Sequence, residues 1–166
     1  METIILQIAL ELVEKITKMT FENISDLDTL TSDVLAECKA SARSILEAVV
    51  DELNRKIRED KAERRQRGLS LKEKDRKRSL LTELGVLHLQ RDYYYDNQNG
   101  CYVCLLDDVL GIRKYKRIGD SVSAKLVTEA AEVSYAKSAE IVTDGAVSRQ
   151  SVRNHILKLS NLEKEP

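Results

Sequence analysis

Proline is all but missing from this chain: its single occurrence is Pro166. Tryptophan is absent, phenylalanine occurs once, and aromatic residues make up 4% of the 166. With no internal proline and six glycines, the chain favours long helices over many-turned sandwiches or barrels. No apolar run of about 18 residues occurs, so no membrane-spanning helix is expected. The apolar stretch from Ile4 to Ala9 follows Glu2 rather than a basic start and lacks a cleavage pattern. It does not read as a secretory signal, and the default compartment is the cytoplasm.

Cysteine is scarce too. Cys38, Cys101 and Cys104 make an odd count, which argues against a disulfide framework. One Cys-x-x-Cys pair would need about two more ligands to hold zinc, and His88 and His155 do not sit at finger spacing. Buried or half-buried thiols are the expectation, with neither a metal nor a cofactor. No Ser/His/Asp set, Gly-rich phosphate loop or His/Cys cluster is present, so the chain is not read as an enzyme and no small-molecule substrate is expected.

What is abundant is charge, and it is zoned. The net charge is −1 from 27 basic and 28 acidic side chains. Residues 1–53 carry 4 basic and 11 acidic side chains, residues 54–78 carry 12 and 5, and residues 79–166 carry 11 and 12. The middle block includes Arg64, Arg65, Arg67, Lys72, Lys74, Arg76, Lys77 and Arg78. Dense positive charge attracts a polyanion, and nucleic acid is the commonest. A solvated helix end and linker is the plainer alternative.

Hydrophobic periodicity predicts a mainly α fold with a small β-hairpin. Residues 1–67 form a helical arm. Its first helix carries Ile5, Ile8, Ala9, Leu12, Ile16 and Met19 on one face. Ser25, Asp28 and Thr31 offer caps before a second helix over about 32–67. The stripe of that helix, Leu35, Cys38, Ala42, Ile45, Val49, Leu53 and Ile57, approaches a coiled-coil heptad. It packs either as a helical hairpin or as a self-associating arm. Gly68 ends the helix, and 68–79 reads as a basic connector.

In 80–112 the period changes to two. A strand around Val86 to Tyr95, the turn Asp96–Gly100 and a second strand Cys101–Leu105 make a hairpin. A hairpin alone is marginal, so helices or a third strand should support it. His88 reads as a half-exposed strand residue.

Residues 113–160 return to helix, leaving 161–166 as a tail. Ser121 caps a helix through Val133, with Leu126, Val127, Ala130 and Ala131 inward. Ser134 caps a second, with Ala136, Ala139, Ile141 and Val142 inward. Thr143–Ala146 turns, and Ser148 caps a third that carries Val152, Ile156 and Leu159 on one side. Its other side offers Ser148, Arg149, Gln150, Ser151, Arg153 and Asn154. Arg pairs with guanine O6 and N7, Asn or Gln with adenine N6 and N7, and Ser with phosphates or bases. A helix start also suits a phosphate. This is the inventory of a helix-turn-helix recognition helix. Ala139 to Val152 nevertheless spans about three residues more than a compact motif, which implies an extended turn or a looser trihelical unit.

Taken in order, several segments carry a family likeness. They are Leu84-Gly85-Val86, Arg91 to Tyr94, Leu105-Leu106-Asp107-Asp108-Val109-Leu110-Gly111, Glu132 to Ala139 and Val147-Ser148-Arg149-Gln150-Ser151-Val152. The chain resembles the N-terminal part of the ISLre-type insertion-sequence transposases, formerly an uncharacterised bacterial protein family. The likeness covers about 76–155. Val109 stands where it leads one to expect an aromatic, and Ser138 where it leads one to expect alanine. It implies a truncated transposase-like DNA-binding segment, without the acidic metal-binding domain that would perform transposition. Asp107-Asp108 reads as acids at a turn or helix start, since adjacent residues rarely converge on one ion. The implied partner is double-stranded DNA, with terminal inverted repeats as candidates, and a homodimer is a further expectation. No membrane partner is implied. The alternatives are a non-enzymatic helical dimerisation module and a non-functional gene remnant.

Overall fold

The computed structural model describes residues 2–22 and 26–162, with side chains to Lys158. Ser25 and the Leu159 side chain, both singled out above, lie outside the described residues. The fold is mainly helical with a small three-stranded sheet. The chain divides into two compact units: residues 1–80 with 86–116, and residues 81–85 with 117–166.

The first unit opens with α1 (Glu2–Glu22) packed on α2 (Leu27–Glu59) as a helical hairpin. Ile5, Ile8, Leu12, Ile16 and Met19 are half-buried, as their spacing predicts, whereas Ala9 is exposed. Lys15 Nζ pairs with Glu37 across the hairpin at 2.9 Å. The cap of α2 is Asp26, whose carboxylate accepts from the Thr29 amide at 2.8 Å. Asp28 and Thr31 lie inside the helix instead, because Asp26 stops the break early. On α2, Cys38, Ala42, Ile45, Leu53 and Ile57 are half-buried, but Leu35 and Val49 face outward. The helix also ends sooner than its periodicity suggests. Asp60 closes α2, and its side chain caps a separate short helix α3 (Lys61–Gln66) through the Glu63 amide at 3.0 Å.

Residues 68–79, whose composition reads as a connector, instead begin strand β1 (Leu69–Thr82). Its middle is exposed on both faces, so no hydrophobic alternation marks it. Hydrogen bonding to β2 (Gly85–Asp96) holds it in the sheet order β1-β2-β3. The third strand, β3 (Cys101–Val103), pairs antiparallel with β2 in the register Tyr94↔Val103, Tyr95↔Tyr102, Asp96↔Cys101. It is shorter than its sequence suggests, because Leu105–Val109 turns into a short helix, α4. At the predicted turn, Asp96 accepts from the Gln98 and Asn99 amides at 2.8 and 3.1 Å, and Gly100 takes φ +64°. Cys101 is exposed rather than buried, Cys104 is buried and Cys38 is half-buried.

Along most of its length, β2 has a free edge, and α2 covers it with polar side chains. Glu47 accepts from the His88 amide at 2.6 Å and Asn54 from the Asp92 amide at 3.3 Å. From Glu47 to Asn54 the helix rises about 10.5 Å, and from His88 to Asp92 the strand advances about 13 Å. Two polar side chains of α2, two turns apart, therefore reach two amides of β2, and part of an edge that would otherwise invite another strand is covered. Among the described residues, apolar clusters fill the space between α2, the sheet and α4. One joins Val50, Leu87, Leu89, Cys104 and Leu106; another joins Leu69, Tyr94 and Leu105.

The second unit is a trihelical bundle of α5 (Asp120–Glu132), α6 (Tyr135–Thr143) and α7 (Arg149–Leu162). It is stitched to the 81–85 turn: the Leu81 amide donates to the Arg117 carbonyl at 2.9 Å and the Gly119 amide to the Leu81 carbonyl at 2.7 Å. Gly119, not Ser121, occupies the N-cap of α5, because this backbone bridge sets where the helix begins. Val122, Leu126, Ser138, Ala139, Val147 and Val152 form the interior. Ala131, Ala136 and Ile141 point outward, since three short helices bury narrower faces than sequence periodicity implies.

Candidate nucleic-acid interface

The described residues contain no cluster of three or more His, Cys, Asp or Glu that could hold a metal ion. No described helix is long and apolar enough to cross a membrane. Exposed Arg, Gln and Asn side chains gather at the start of α7.

Its position depends on the turn before it. Asp144 takes the left-handed conformation at φ 49°, and Gly145 follows at φ +76°. Thr143 braces the longer turn: its hydroxyl donates to the Ala139 carbonyl at 2.6 Å and accepts from the Val147 amide at 3.3 Å. Val147 is buried as the chain enters α7. Sequence reasoning missed this brace; a threonine just before Asp-Gly was its only local sign.

Ser148 then caps α7, its hydroxyl accepting from the Ser151 amide at 3.3 Å. Val152 is fully buried beneath the helix. Arg149, Gln150, Arg153 and Asn154 are all exposed, and Ser151 is half-buried. Gln150 Nε2 donates to Asn154 Oδ1 at 3.1 Å, which aligns two amide side chains on one side of the helix. No acidic residue lies in the first turn. Two guanidiniums and two amides therefore project from a helix anchored on its opposite side. Ser138, where the family likeness suggested alanine, is buried in α6 without penalty, because its hydroxyl donates to the Leu126 carbonyl of α5 at 2.8 Å.

The basic block divides into two groups. Arg78 Nη1 binds Asp107 at 2.7 Å, and its Nη2 binds the carbonyls of Arg113 and Lys116 at 2.9 and 2.6 Å. Arg91 binds the same Asp107 carboxylate. Arg64 donates to the Arg58 carbonyl at 2.6 Å and lies 5.5 Å from the Tyr94 ring centroid. Arg64 and Arg78 are thus spent inside the fold. Arg65, Arg67, Lys72, Lys74, Arg76 and Lys77 remain exposed. Asp107, adjacent to the exposed Asp108, is the counter-ion of Arg78 and Arg91.

Below this lies a buried ionic knot. Asp92 accepts from Arg58 Nε at 2.6 Å, from Arg58 Nη2 at 2.8 Å and from the Asp75 amide at 3.0 Å. Arg58 also meets Asp75. Burial works against the ionised carboxylate, but the bonds from Arg58, Asp75 and Asn54 hold Asp92 below the usual range. Burial pushes the neighbouring Tyr94 hydroxyl up to about 12.

Comparison with known proteins matches residues 20–165 to an uncharacterised protein family, UPF0236. The chain belongs to UPF0236. One UPF0236 protein of Caldanaerobacter subterraneus subsp. tengcongensis is 36% identical over 166 residues, covering 98% of this chain and 35% of its own length. Its name gathers many loci of one genome. Another UPF0236 protein from that organism is 35% identical, with 98% and 33% coverage. This chain spans about a third of the length of the curated UPF0236 relatives it matches. No solved structure matches it.

Proposed function

We propose that this chain is the DNA-binding segment of a transposase-type protein, with no chemistry of its own, and that α7 is its recognition helix. The observation that carries this reading is the exposure of Arg149, Gln150, Arg153 and Asn154 above a fully buried Val152. A recognition helix needs both conditions at once: base-reading tips in solvent and a rigid seat beneath them. The many loci of one genome in the name of a relative suit a gene carried by an insertion sequence. Arg65, Arg67, Lys72, Lys74, Arg76 and Lys77 supply backbone charge in this reading, while Arg64 and Arg78 are structural.

Gel shifts at low salt, with random duplexes and with terminal inverted repeats of related elements, test it. Wild type should bind and prefer a subset of sequences, and Arg149→Ala/Arg153→Ala should lose the preference. Absence of any duplex binding at low salt would overturn the reading.

A second reading, compatible with the first, is self-association through α1. Leu6, Leu10 and Val13 recur at heptad spacing on a stripe separate from the one facing α2, each more than 60% exposed. A second copy of the chain is the proposed occupant, in keeping with the paired binding of repeated half-sites.

A further inference from the structure

We propose that the open end of one sheet face is a platform for the unpaired bases of single-stranded DNA. It rests on the reading of this chain as a DNA-binding protein and adds a second site with different chemistry. Alternation along β2 places Tyr93 and Tyr95 on one face, both half-buried; Tyr93 packs against the cluster of Leu87 and Leu89, and Tyr95 stands at the open end. Tyr102 joins them by its register opposite Tyr95. The rings of Tyr95 and Tyr102 meet edge to face, with centroids 5.2 Å apart and planes at 67°. Tyr102 is 61% exposed.

Cations accompany these rings. Lys72 Nζ lies 5.8 Å from the Tyr95 centroid. The Arg76 and Arg91 guanidiniums lie 4.7 and 5.3 Å from the Tyr93 centroid. Arg91 is fixed by Asp107, whereas Lys72, Lys74 and Arg76 are exposed.

The combination identifies the ligand. A base stacks on an exposed aromatic ring whatever its sequence, and cations a few ångströms away meet the phosphates between bases. Duplex DNA keeps its base faces stacked inside, so rings offer it little; unpaired bases present those faces. Strand preference for aromatics explains tyrosines in a sheet. It does not explain why Tyr95 and Tyr102 meet at the open end of the sheet with Lys72 beside one of the rings.

Fluorescence anisotropy with labelled oligo(dT) and with a duplex of equal length, together with tyrosine emission, tests the proposal. Without tryptophan, emission reports the tyrosines directly. Oligo(dT) should bind and quench that emission. Tyr102→Ala and Tyr95→Leu should each weaken oligo(dT) binding about tenfold. Tyr102→Phe should restore it, and duplex affinity should not change. Lys72→Gln should flatten the salt dependence of oligo(dT) binding. Arg149→Ala/Arg153→Ala should do the reverse of the tyrosine variants, impairing duplex recognition and sparing oligo(dT). No oligo(dT) binding at low salt, or binding undiminished in both Tyr102→Ala and Tyr95→Leu, overturns the platform. Oligo(dT) binding that depends on these rings in a protein that ignores duplex would overturn the α7 reading alone.

Discussion

The side-chain oxygen of Asn54 accepts a hydrogen bond from the backbone amide of Asp92, joining the C-terminal part of α2 to the edge of β2 at 3.3 Å. Both residues are buried, so this amide has no access to solvent. Asn54→Leu should leave it unpaired and cost about 1–3 kcal/mol. Urea midpoints compared with those of the more exposed Glu47→Ala check this, the second variant losing less.

Arg58 neutralises Asp92, which is 1% exposed. Arg58→Met should destabilise the first unit by about 3–5 kcal/mol, because it strands a buried charge. The pH dependence follows from the same pair. Asp92 has a lower pKa folded than unfolded, so its contribution is complete above the unfolded value, about 3.9. That contribution is lost as pH falls through the folded value. Acid titration of Asp92→Asn should show a shallower loss of stability below pH 4 than wild type.

His155 titrates in a different window. Burial, then the charge of Lys158, lowers its pKa in the fold. The neutral ring is therefore the one the fold accepts. Its contribution is complete above the unfolded pKa of about 6.5 and declines as pH falls toward the lower folded value. His155→Gln should remove that slope between pH 7.5 and 5.5, read as the difference in thermal midpoints.

Thr143 links the end of α6 to the entry of α7 without facing solvent. Thr143→Val should cost about 1–2 kcal/mol and weaken duplex binding by loosening the turn. Arg149→Ala should weaken binding with an unchanged melting temperature. Paired calorimetry and gel shifts distinguish the two.

Leu10 stands in the middle of the exposed stripe on α1. Leu10→Asp should convert a dimer to a monomer in light scattering and leave helix content unchanged. A monomeric wild type at high concentration would dismiss self-association.

Much of the fold is legible because its signals are local. The 5-8-12-16-19 spacing marks the face that α1 turns to α2, Asp96–Gly100 marks the turn, and Ser134 and Ser148 act as caps where they stand. The outward face of α7 is legible for the same reason, since Val152 and Arg153 differ by one helical step. β1 is not legible, because charged side chains exposed on both faces erase the alternation that would announce a strand. The Asp26 cap and the Asp60 break are equally hard to choose from a run of acceptable acids.

Sequence by itself determined the helical periods, most turns and the concentration of positive charge. Only the tertiary structure decided which cations are available. Arg78 meets its carboxylate at Asp107 and Arg58 meets Asp92, each partner roughly 30 residues away along the chain. Composition counts charges, whereas the availability of a charge depends on the neighbours that folding places within hydrogen-bond reach.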